Sequence, residues 1–135
     1  MSEKKPGHFQ ILKGFPADVV AVSAKGRIGR EAYEKQLIPL IEERLAHEGK
    51  VNVLYEIGPE FEGFTAGGAW DDTKFGLSHL ADFARLAVVT DVEWIRLGMK
   101  MFAPFMGGRM RVFALDELDK ARDWVMPKTP DEVSA

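Results

Sequence analysis

Apolar and polar residues follow two different periods along this chain, and the changes between them mark out its elements. Near the N-terminus, two short β-type runs at 9–13 and 18–25 flank a Gly-Phe-Pro-Ala turn, and this pattern predicts a hairpin. Side chains alternate between the two faces of a strand. The second run would therefore be apolar on both faces, with Val20 and Val22 on one and Val19 and Ala21 on the other.

Beyond the hairpin the chain alternates between helical spacing and short apolar runs. Helices are predicted at 30–47, 67–81, 91–106 and 116–126. Further strands are predicted at 50–57, 85–90 and 109–113, with an irregular loop at 58–66. Pro39 should kink the first helix, and Asp116 should cap the last. The order ββαβαβαβα predicts an α/β fold, in which a mixed, mostly parallel sheet begins with the hairpin and is flanked by helices.

Length and composition limit the classes of protein. The 135 residues suit one domain, predicted at 9–126, between a disordered tail at 1–8 and a flexible tail at 127–135. Without cysteine, disulfide scaffolds, thiolate metal sites and cysteine nucleophiles are excluded. A net charge of −3 argues against a nucleic-acid partner. Since neither a signal peptide nor a membrane-spanning run is evident, we expect a cytoplasmic protein, with room for peripheral contact at the inner face of the membrane.

The segment 91–106 has more apolar circumference than one core can cover. One stripe, called the core stripe here, comprises Val92, Ile95, Met99, Phe102 and Met106. A second, the outer stripe, comprises Trp94, Leu97, Met101 and Phe105. Left bare, such a patch marks an interface, a ligand groove or a membrane contact. The alternatives are cover by another helix or the chain's own tail, a homodimer, an apolar ligand, or contact with a membrane. Arg96, Lys100, Arg109 and Arg111 would suit anionic headgroups, but on charge alone they are expected to form a solvated rim.

Candidate catalytic chemistry is sparse. Neither Glu60 with Glu62 nor Asp71 with Asp72 is expected to form an acid–base pair. The two glutamates would point the same way only if their loop were extended, and the two aspartates suit the positive end of a helix without further function. The three histidines lack the spacing of metal ligands, so no metal is predicted, and the glycines form no phosphate-binding motif, so no cofactor is predicted either. Thr65 is placed to cap a helix and could also accept a phosphoryl group.

Three segments carry a resemblance to a known family: 55–64, 69–72 and 88–95. The chain resembles the bacterial SpoIIAA-like proteins, whose fold is STAS-like or CRAL-TRIO-like, from about Phe9 to Trp124. The resemblance implies a relation to anti-sigma-factor antagonists and, more distantly, to lipid-carrying domains with mobile helices around an apolar cleft. Antagonists carry a phosphorylated serine in an Asp-Ser-Ser-Gly type motif. The matching place here is 64–67, where only Thr65 could stand in and the acidic residue and the serine are missing.

The sequence therefore predicts a non-catalytic module that binds an apolar or amphipathic, lipid-like ligand, with association at a membrane surface as a variant. Its predicted ligand-binding residues are Phe61, Phe64, Trp70, Trp94, Leu97, Met101, Phe102 and Phe105. The alternative is a protein–protein regulatory module of the antagonist type, with Thr65 as its phosphorylation site. A further alternative is that the outer stripe is the seam of a homodimer.

Overall fold

A computed structural model describes residues 7–126 of the chain. The predicted tails, 1–8 and 127–135, lie outside the described residues except for Gly7 and His8, and His8 already begins the first strand. Five strands form one sheet: β1 (His8–Ile11), β2 (Val19–Ile28), β3 (Val51–Phe64), β4 (Phe83–Thr90) and β5 (Met110–Phe113). The strands lie in chain order. β1 runs antiparallel to β2, and all other neighbours are parallel.

Helices cover both faces of this sheet. Their bounds are α1 (Arg30–Ala32), α2 (Ile38–Glu48), α3 (Ala66–Ser78), α4 (Glu93–Phe102) and α5 (Leu118–Val125). A π-helical segment, Tyr33–Leu37, joins α1 to α2, and a 3₁₀ turn, Ala103–Met106, extends α4. The predicted α/β fold, with its mixed sheet and initial hairpin, is confirmed.

The sheet separates two apolar cores, as the alternation in β2 predicts. Val20 and Val22 belong to the larger core, which the helices from α1 to α4 cover. Val19 and Ala21 belong to the smaller core, which α5 covers through Ala121. Because β3 and β4 contribute apolar side chains to both cores, these central strands read as continuous apolar runs rather than alternating ones.

The predicted loop at 58–66 is wrong, because β3 continues to Phe64. The pairing of β2 with β3 passes from Ala24↔Ile57 to Gly26↔Phe61, so β3 carries surplus residues there as a bulge. A second register shift follows next to Gly63, whose φ of 116° lies in the region that glycine tolerates. The glycines and the proline of this segment thus mark an irregular part of β3, which stays paired with β2.

Two local predictions concern helix ends. Pro39 lies in the first turn of α2, directly after a π-helical segment that ends at Leu37, so the hydrogen-bonding pattern changes just before the residue that lacks an N–H, and the kink there stays a prediction. Asp116 does not cap the last helix. The Ala114 N–H donates to the Glu117 carboxylate at 2.9 Å, and the Leu115 N–H donates to the Asp91 carboxylate at 3.0 Å, so a 3₁₀ turn precedes α5.

Candidate functional site

The position of α4 is fixed where β4 ends. The Thr90 hydroxyl accepts a hydrogen bond from the Val92 N–H at 3.1 Å, which turns the chain out of the sheet. The Arg96 guanidinium, one turn into the helix, donates to the Thr90 carbonyl at 2.8 Å. These two bonds hold the first turn of α4 at the carboxyl end of β4. In parallel sheets this is the end where binding sites usually lie.

The core stripe faces inward as predicted. Ile95 and Met106 are buried in the larger core, and the other three members are half-buried against it: Val92, Met99 and Phe102. One side of α4 therefore packs against the larger core. Consequently, any further apolar residues on α4 have to find cover elsewhere or remain in solvent.

The outer stripe remains in solvent. Trp94 is 64% exposed, Leu97 62%, Met101 70% and Phe105 72%. Cover by another helix is therefore excluded within residues 7–126, whereas the predicted tail at 127–135 lies outside the described residues. Trp94, Leu97 and Met101 lie on successive turns of α4, and Phe105 lies on the 3₁₀ turn that extends it, so the four large apolar side chains form one exposed patch.

The predicted ligand-binding residues divide into two groups. Phe64 links them, because its ring centroid lies 4.9 Å from that of Phe61 and 6.4 Å from that of Trp94. Phe61, Phe64 and Phe102 are half-buried against the larger core, so they support the outer stripe rather than extend it. Trp70 is 59% exposed on α3, and within the described residues its indole makes no ring contact with this group.

Most of the predicted basic rim is occupied elsewhere. The Arg96 guanidinium is bound to Thr90, and that of Arg109 donates to the Phe83 carbonyl at 2.6 Å. Arg111 lies over the Phe113 ring, on the α5 side of the sheet. Lys100 is the exposed basic residue that remains on α4 beside the outer stripe. The electrostatic contribution of this face is therefore small.

A cleft of about 250 Å³ lies at the other end of the molecule, between the β1–β2 turn and α2. Ile11, Phe15 and Leu40 are among its lining residues, and none of the predicted ligand-binding residues is. The predicted binding residues thus lie on an open face and not around this cleft.

A buried polar cluster lies beneath α3, and the sequence did not predict it. The Tyr33 and Tyr55 hydroxyls are 2.7 Å apart, and Tyr33 donates to the Asp72 carboxylate at 2.6 Å. The Phe9 ring packs edge-on against both tyrosines. Burial raises the pKa of both tyrosines well above the usual value, and it also raises the pKa of Asp72, against the opposing effect of the Tyr33 hydrogen bond. The predicted role of Asp71 and Asp72 at the positive end of the helix is wrong, because α3 begins at Ala66 and its first turn holds no acidic residue. Asp72 instead has a structural role in this cluster.

We expect Asp72→Asn to stabilise the domain at neutral pH. A carboxyl group whose pKa is raised by folding binds more protons in the folded chain, so its contribution to wild-type stability decreases as the pH rises above the ordinary value of 3.8 and through the folded pKa. Asparagine retains an oxygen that can accept from Tyr33 and has no charge to desolvate. Urea midpoints of the two proteins should differ at about pH 7 and converge toward about pH 4. A less stable variant at neutral pH would contradict this.

Thr65 caps α3, as predicted. Its hydroxyl accepts a hydrogen bond from the Gly68 N–H at 2.9 Å. The Arg30 side chain lies close to the same helix end: a Cβ atom placed on Gly67 would be 3.2 Å from the Arg30 Nε. Arg30 also lies 3.7 Å from the buried Asp71 carboxylate. Within the described residues, His, Asp and Glu form no group of three that could hold a metal ion.

Comparisons with known proteins agree with one another. A family profile described as SpoIIAA-like matches residues 19–126. Among solved structures, the chain is similar to an uncharacterised protein of the DUF3478 family, with a SpoIIAA-like fold, from Shewanella loihica PV-4. The two are 30% identical with a TM-score of 0.70, and the match covers 93% of this chain and 98% of the other. No curated protein matches the sequence.

Proposed function

Since this chain belongs to the SpoIIAA-like family, we propose that it is a non-catalytic binding module that docks on lipid at a membrane surface through the outer stripe of α4. The predicted family and STAS-like fold are confirmed by the profile match and the solved neighbour. The observation that carries the proposal is the exposure of Trp94, Leu97, Met101 and Phe105, each above 60%. Phe61 and Phe64 would support this face from below.

The composition of α4 suits the boundary between headgroups and acyl chains. Helices that lie in this boundary bury an apolar face rich in Trp, Phe and Leu and hold their polar face toward water. In α4 the polar strip is formed by Glu93, Arg96 and Lys100. No helix within residues 7–126 is long and apolar enough to cross a bilayer. Contact along the surface is therefore the geometry that α4 supports.

The size of the patch favours a membrane over a second copy of the chain. An aromatic side chain can bury roughly 150–250 Å² of surface. At nearly two-thirds exposure, the four side chains offer on the order of 500 Å², against about 800 Å² per partner in a standard protein interface. A bilayer requires no matching partner surface. Burying half of this area would contribute about 6 kcal/mol at ~25 cal/mol per Å².

The test is flotation of the full chain with vesicles of neutral phosphatidylcholine, with and without added phosphatidylserine. We expect binding to both, with less than about a tenfold gain from the anionic lipid, because a Lys or Arg near the surface contributes only about 1 kcal/mol and Lys100 is the exposed basic residue of α4 beside the outer stripe. A blue shift of tryptophan emission should accompany binding.

Other occupants of the outer stripe would give different results. A chain that sediments as a dimer and stays out of the vesicle fraction would identify a second copy as the occupant. A chain that co-purifies with lipid, seen by native mass spectrometry, but does not float would indicate an enclosed ligand. Either outcome contradicts docking on a membrane.

A second candidate is the antagonist-type regulatory module, and the Arg30 side chain beside the Thr65 cap favours it. A phosphoryl group on Thr65 would meet both the positive end of α3 and this guanidinium. Phosphosite mapping after incubation with cell extract and ATP tests it. Modification elsewhere, or none, would count against this candidate.

A further inference from the structure

Met101 differs from the other methionines of the described residues in its exposure. It is 70% exposed, whereas Met106 and Met110 are 1% and 4% exposed, and Met99 and Met126 are half-buried. The chain has no cysteine that would react first with an oxidant. Susceptibility of sulfur to oxidation follows its accessibility. Met101 is therefore the methionine of residues 7–126 that a dissolved oxidant reaches most easily.

Met101 also lies in the middle of the outer stripe. Leu97 precedes it by one turn of α4, and Phe105 follows four residues later in the 3₁₀ turn that extends the helix. A sulfoxide at this place would put a strongly polar S–O group between two apolar side chains. The change would fall within the surface that the proposed function assigns to the lipid.

We propose that Met101 is a peroxide-sensitive modification site, and that its oxidation releases the chain from lipid; this inference rests on the proposed function. The sulfur attacks one peroxide oxygen, so that the S–O bond forms as the O–O bond breaks. Sulfur loses two electrons, and hydrogen peroxide is reduced to water. The modification is reversible, because methionine sulfoxide reductases restore the thioether.

The test combines peptide mapping with vesicle binding of the full chain under hydrogen peroxide. We expect Met101 to be oxidised at least about ten times faster than Met106 or Met110, because buried thioethers react only when the structure opens. Oxidised wild type should bind phosphatidylcholine vesicles at least about fivefold more weakly, and the reductase should restore binding. Met101→Leu, which conserves volume and has no sulfur at this position, should show the same vesicle binding before and after peroxide treatment, each comparison being made with the untreated variant itself.

The outcomes separate this inference from the proposed function. If Met101→Leu binds vesicles and loses binding under peroxide as wild type does, the modification site is overturned while lipid docking stands. Oxidation of Met106 before Met101 would overturn it as well. If untreated wild type does not bind vesicles, docking and its release by oxidation both fall, even when Met101 is oxidised first.

Discussion

Gly68→Ala is expected to destabilise the domain by about 3 kcal/mol, the upper range for overpacking a well-packed site. A Cβ atom at this position would overlap the Ile28 carbonyl oxygen and lie 3.0 Å from the Gly29 Cα. Both obstacles are backbone atoms, so no side chain can rotate away. The end of β2 and the start of α3 would have to separate, and Ile28 is completely buried.

Gly76→Ala is the matched control, because Gly76 lies in the same helix and a Cβ atom there would meet nothing within 4 Å. This variant should be as stable as wild type or more stable by about 0.5–1 kcal/mol, since alanine favours helix over glycine. Urea unfolding followed by circular dichroism measures both variants. Equal stability of the two alanine variants would contradict the close approach of α3 to β2.

The same contact explains how the sequence around α3 works. Because Gly68 lets the helix approach Ile28, the Thr65 N–H reaches the Ile28 carbonyl at 2.8 Å. The Thr65 hydroxyl can then cap the Gly68 N–H. The approach also brings Asp72 to Tyr33. One glycine thus positions both the cap and the buried polar cluster, so its loss should affect the whole of this side of the sheet.

The periodicity of 91–106 predicted the two stripes of α4 because helical geometry alone decides which residues share a face. The core stripe was predicted and is buried or half-buried. The exposure of the outer stripe could not be predicted, since the sequence does not show which other elements lie beside α4. The same limit applies to Trp70, whose separation from Phe64 and Trp94 depends on how α3 and α4 are placed.

Features that depend on contacts across the chain escaped prediction. Phe61 can pair with Gly26 only because β3 bulges there and so carries more residues than β2 over the same stretch. The local sequence showed only glycine and proline, which are equally typical of a loop. Asp72 looked like an ordinary acidic residue near a helix start. Its partial burial depends on Tyr33 and Tyr55, which lie 39 and 17 positions earlier in the numbering and reach it only in the folded chain.

The double variant Leu97→Gln/Met101→Gln should bind phosphatidylcholine vesicles about 100-fold more weakly than wild type. Full burial of such a side chain contributes about 1.5–3 kcal/mol, so losing two partly inserted ones removes about 3 kcal/mol, which is roughly two powers of ten in affinity. Glutamine is neutral and a good helix former, so neither the charge of α4 nor its helical propensity changes much. Because both side chains are exposed, the free energy of unfolding should stay within about 0.5 kcal/mol of wild type.

Ile11→Gln supplies the matched control for loss of exposed apolar area. Ile11 is 59% exposed, yet it lies on the edge strand β1, at the opposite edge of the sheet from β5 and α4. If lipid contact is specific to the outer stripe, the Ile11 variant should float like wild type while the double variant remains in solution. Equal loss in both would mean that general hydrophobicity drives vesicle binding. Full binding by the double variant would mean that Trp94 and Phe105 suffice or that another surface meets the lipid, and in the second case the proposed docking face would be wrong.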